Sequence, residues 1–174
     1  MDMNIVEYLN QLNFTALFLV FIISKLLIET YLKIRNISSI NENKETIPER
    51  FINVVTEEEY KKSINYNIER IRFSILTSVF GVGVLLFFTI GGILNNLTVF
   101  VQGVTASNII GAIILGLLLI VIGEIIEIPL AVYSTFHIEE KYGFNKTTTK
   151  TFVTDLFKNL LIQSIFSSML YAIV

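Results

Sequence analysis

The residues able to do chemistry are few, and the densest group stands in YSTFHIEEKYGFNK, residues 133–146. His137 is the only histidine of the 174 residues, and Glu139 and Glu140 follow it closely. A catalytic zinc site needs about three protein ligands. The HExxH arrangement places two histidines one helical turn apart, with the glutamate between them as general base on metal-bound water. His137 has no second histidine to pair with, and Glu140, three residues on, leaves a helix face with at most one imidazole and one carboxylate. The stretch is therefore expected to be a polar helix end stopped by Gly143, with no metal ligand and no catalytic residue in this chain. Absence of cysteine excludes disulfides and thiolate chemistry.

Three further polar groups invite a role. Asp155, Asn159, Gln163 and Ser167 recur every four residues and share one face of a helix. Such a stripe either hydrogen-bonds to neighbouring helices or lines a hydrated chamber, because polar groups facing lipid at depth are costly. Glu124 and Glu127 lie one turn apart just before Pro129, where a helix leaving hydrocarbon meets water; Lys25 and Glu29 have a similar placement. Each pair reads more readily as a marker of topology than as a catalyst.

The elements that carry these residues follow from hydropathy. Hydrophobic residues make up 53% of the chain, and from Phe73 to Gly123 there is no Asp, Glu, Lys, Arg or His. About 20 apolar residues suffice to cross the hydrocarbon core, so the chain reads as a multi-pass membrane protein. Its expected fold class is all-α, a polytopic transmembrane helical bundle of about four spans, because a helix satisfies its own backbone in lipid. The spans are expected near residues 9–32, 73–94, 108–128 and 152–174, with Asn95 and Asn96 marking a turn and Pro129 stopping the third. The glycines Gly81, Gly83, Gly91, Gly92, Gly111, Gly116 and Gly123 are expected to permit close helix contacts. A net charge of −2 argues against a nucleic-acid partner.

All 13 Lys and Arg residues lie in or beside the segments 33–72 and 129–151. Basic segments stay cytoplasmic, so both large loops are expected in the cytoplasm and the N terminus on the opposite side. Within the first loop, Thr56 and Glu59 form a capping-box signal. Glu57–Lys61 and Glu58–Lys62 are favourable i,i+4 pairs, and Tyr60, Ile64, Ile68 and Ile71 share a face. This predicts an amphipathic helix from about Glu57, lying at the membrane surface and continuing into the second span.

The stretch EIPLAVYSTFHIEEKYGFNKTTTKTFVTDLFKN resembles the signature of the type I CaaX prenyl proteases, integral-membrane zinc metallopeptidases that process prenylated proteins. The matching residues are Pro129, Tyr133, Thr135, Phe136, Ile138, Glu139, Glu140, Gly143, Phe144, Asn145, Lys146, Thr148, Asp155 and Lys158. IPERF (47–51) and EEEYKKSINYNIERIRF (57–73) resemble the block that follows the family's first span. The resemblance implies an N-terminal membrane domain, residues 1–174, forming part of the wall of an intramembrane substrate chamber. It implies zinc in the full-length protein and prenylated or other peptide substrates. The family's HExxH and its third, glutamate ligand lie beyond the matched region, so no catalytic residue carries over. The expected partners are the lipid bilayer and a C-terminal catalytic domain absent from this chain.

Two other classes stand beside this reading. A non-catalytic membrane scaffold or partner protein is favoured by the missing zinc motif. A small channel or transporter using Glu124, Glu127 and the 155–167 stripe would need oligomers, and transporters often show repeats or broken helices that this sequence does not display.

Overall fold

The computed structural model describes the backbone of residues 5–45, 47–48 and 54–173 and the side chains of 12–45, 47–48 and 54–169. Every described element is helical: α1 (Ile5–Asn43), α2 (Glu57–Thr89), α3 (Ile93–Val104), α4 (Asn108–Tyr133), a π-helical turn (Ser134–Glu139) and α5 (Thr149–Ile173). The all-α membrane fold holds. Among the described residues α1, α2 and α4 with its π-turn are long and apolar enough to cross a membrane. The fourth apolar run is also a helix, α5; its final side chains lie outside the described residues, as do Glu49, Arg50 and Phe51 of IPERF.

Helix ends fall differently from the apolar runs. At ~1.5 Å per residue, the 39 residues of α1 and the 33 of α2 span ~58 and ~50 Å, against ~30 Å of hydrocarbon. Their polar ends, residues 33–43 and 57–72, are therefore rods projecting beyond the apolar runs rather than open loop. The helix expected from Glu57 is present and runs unbroken into the second span. No proline or π-turn interrupts it.

The turn expected at Asn95 and Asn96 is displaced to Gly91 and Gly92. Gly92 has φ 80° and heads α3, which contains both asparagines. The Gly91 N–H donates to the Leu86 carbonyl (3.1 Å), and a Cβ on Gly91 would collide with the Phe87 carbonyl oxygen. Pro129 does not stop the third span either: α4 passes through it, and the helical run continues to Lys141. Close approach at glycine is confined to fewer positions than expected. A Cβ at Gly111 would touch Val101 at 3.5 Å and Gly116 is buried, whereas Gly81, Gly83 and Gly123 have open space beside them.

The chain divides into two compact units, Met1–Gly83 and Val84–Val174. In the first, α1 and α2 run antiparallel, and Lys33 reaches from α1 to α2. Its Nζ donates to the Ser74 carbonyl (3.1 Å) and to Ser78 Oγ (2.7 Å). In the second unit α3 packs on α4, and α4 packs on α5. Ser107 caps α4, its hydroxyl accepting from the Ile110 N–H. Among the described residues only Val101 and Ile138 are buried hydrophobics. Apolar surface turned outward along spans is stable where the surroundings are lipid.

Candidate functional site

The site is the hairpin joining α4 to α5, and its local chemistry explains most of the 133–148 motif. Tyr133 ends α4 and stacks on His137, four residues on, with ring centroids 4.7 Å apart. Between them the backbone widens into the π-turn, a feature often found at functional sites. Thr135 is half-buried there, and Phe136 meets Phe152 of α5 edge-on at 5.4 Å. Ile138 is 1% exposed and forms the core of the hairpin.

The chain then reverses through a short polar turn. Gly143 has φ 65°, a conformation that L side chains resist, and its N–H donates to the Glu140 carbonyl at 2.9 Å. The Glu139 carbonyl accepts from the Phe144 and Asn145 N–H groups (2.9 and 3.2 Å). Asn145 joins both sides of the turn, its amide donating to Glu140 Oε2 at 2.8 Å while its Oδ1 accepts from the Thr147 N–H at 2.7 Å. Thr148 caps α5 by accepting from the Thr151 N–H. Phe144 and Lys146 are exposed at the tip. Gly143 thus ends the helix as expected.

Farther along the hairpin, Gln163 Nε2 donates to Glu124 Oε1 at 2.7 Å. Glu124 stands 12 residues before Phe136, and Gln163 11 residues after Phe152, so the two contacts share one antiparallel register. The stripe on α5 is therefore only partly engaged. Asp155 meets Lys158 on its own helix at 3.4 Å, Asn159 is exposed, and Ser167 is half-buried. Glu127 is exposed, and Lys25 pairs with Glu29 at 3.5 Å within α1.

His137 and Glu140 are each engaged locally. His137 is exposed and stacked on Tyr133, and Glu140 accepts from Asn145. Among the described residues no three His, Cys, Asp or Glu side chains converge. What the hairpin can do is hold two helices in fixed register with a polar pair at span depth.

Comparison with known proteins places this architecture. The family described as CAAX prenyl protease N-terminal, five membrane helices, matches residues 36–174. Of the five α-helices described here, α3 with 12 residues extends only ~18 Å. A probable CAAX prenyl protease 1 of Schizosaccharomyces pombe is 35% identical over 132 residues, 68% of this chain and 28% of that protein. The CAAX prenyl protease 1 of Saccharomyces cerevisiae is 29% identical over 150 residues, 80% of this chain and 33% of its own length. The crystal structure of S. mikatae Ste24p superposes with a TM-score of 0.77 at 28% identity, over 88% of this chain and 37% of that one. The chain thus spans about a third of the length of the relatives it matches. It belongs to the CAAX prenyl protease family, as a membrane N-terminal domain of that family.

Proposed function

We propose that this chain forms part of the wall of an intramembrane substrate chamber in a zinc metalloendopeptidase that cleaves prenylated or other peptides. The zinc and its ligands belong to sequence outside this chain, which alone does not catalyse. The observation that carries the reading is the polar stripe of α5. Gln163 is met by Glu124, while Asp155 and Asn159 are left uncovered by α4. Uncovered polar groups on a membrane helix call for water or protein beside them rather than lipid, and a hydrated chamber supplies that.

Two measurements test it. Cysteine placed at Asn159 should react with a membrane-impermeant maleimide, and cysteine at Phe157, an exposed apolar position on another face of α5, should not; equal labelling would refute the chamber wall. Separately, a longer protein carrying this chain and an HExxH segment should bind one zinc and cleave a farnesylated CAAX peptide. One zinc held tightly by this chain alone, or cleavage by it, would refute the division of labour.

A further inference from the structure

A polar groove of about 500 Å³ lies between α1 and α2, lined by Asn36, Ile40, Asn67, Arg70, Ile71 and Ser74. It lies where the apolar runs end, since charged residues stop at Arg72 and the charge-free stretch begins at Phe73. Lys33 does not line it; its ammonium is held beside the groove by the Ser74 carbonyl and Ser78 Oγ. Arg70 is exposed and has no ion pair or hydrogen bond among the described residues. Neither Arg35 nor Arg72 lines the groove, so Arg70 is its one cation among the lining residues.

Glu69, next to Arg70 on α2, is half-buried and already engaged, and Glu29, one turn deeper on α1, is paired with Lys25. No apolar side chain of α2 is buried against α1, so the helices enclose a donor-rich gap rather than a packed seam. The volume suits a small-molecule group, and the chemistry suits a phosphate. A guanidinium forks onto two phosphate oxygens, and the Asn36 and Asn67 amides complete the cradle.

We infer that this groove binds the phosphate of an anionic phospholipid headgroup, with the acyl chains lying on the exposed apolar faces below. Basic pockets between helices at the membrane interface recognise such headgroups. The groove is built from α1 and α2 alone, and its assignment does not rest on the chamber reading.

The test titrates the whole chain, in a non-ionic detergent, with dihexanoyl phosphatidylglycerol, dihexanoyl phosphatidylcholine and inorganic phosphate, following binding by native mass spectrometry. Saturable one-to-one binding of phosphatidylglycerol is expected, with phosphatidylcholine about tenfold weaker. Arg70→Gln should weaken it about tenfold through loss of one bidentate charged contact, and Arg35→Gln, outside the groove, should not. Asn67→Leu, which leaves every charge in place, should also weaken it and guards against misfolding of the arginine variant. Inorganic phosphate competing at similar concentration would support the phosphate cradle while assigning it to a free anion. Absence of saturable binding, equal binding of the two lipids, or equal loss in the Arg35 and Arg70 variants would overturn the site.

Discussion

Gln163 on α5 and Glu124 on α4 are joined by a 2.7 Å hydrogen bond across 39 residues of sequence. It is the deepest polar tie of the hairpin among the described residues. Bonds of this kind between membrane helices contribute about 0.6–1.7 kcal/mol. A double-mutant cycle with Gln163→Leu and Glu124→Leu, followed by reversible unfolding in mixed micelles, should show a coupling in that range. Additive effects would mean the two side chains do not interact.

Ile138 is nearly sealed while Ile125, on the same helix, is 60% exposed. Truncating a sealed side chain costs its transfer energy and leaves a cavity, about 2–4 kcal/mol for isoleucine to alanine. Ile138→Ala should therefore lower the unfolding midpoint strongly and Ile125→Ala little. Similar losses at both would show that the hairpin core is elsewhere.

Gly143 and Gly81 offer an opposed pair. Gly143 has φ 65°, and a side chain there costs about 1–2 kcal/mol. Gly81 is helical with open space beside it, so alanine there stabilises by about 0.5–1 kcal/mol. Thermal unfolding in detergent should move in opposite directions for the two alanine variants.

How much of this was legible depended on distance along the chain. The capping box was readable because Thr56 and Glu59 are three residues apart, and the structure has the Thr56 N–H and hydroxyl on Glu59 Oε2, both at 2.9 Å. Gly143 was readable because a glycine after a polar helix end is a local signal. Lys33 with Ser74 and Glu124 with Gln163 were not, because each joins helices about 40 residues apart and no local rule pairs them. Glu124 and Gln163 both stand out in the sequence as polar groups within apolar runs, but nothing there pairs one with the other. α3 was missed because Asn95–Asn96 resembles a turn, whereas the backbone demand for glycine falls at Gly91 and Gly92. The π-turn has no side-chain signature, and Pro129 lies inside α4 where its residue type predicts a stop.

The cap of α2 responds to acid. The N–H of Thr56, and then its hydroxyl, hold the Glu59 carboxyl below its ordinary 4.5. Its contribution is therefore fully present above that value and lost as pH falls through the lowered one. The Thr56 amide resonance should titrate with a midpoint below 4.5, and Glu59→Gln should abolish the transition. A midpoint at or above 4.5 would show that the capping bonds do not persist in solution.

The polar ends of α1 and α2 reach ~16 and ~24 Å past the apolar runs. Upright on the bilayer, this stand-off is two to three times the ~8 Å screening length of physiological salt. In that pose the arginines at its base, Arg70 and Arg72, would stand within one screening length of the headgroups, and Glu57, Glu58 and Glu59 at the tip would stand well beyond it. The α1–α2 pair would then carry its charge as a graded ruler, drawn toward the lipid at one end and electrostatically indifferent to it at the other.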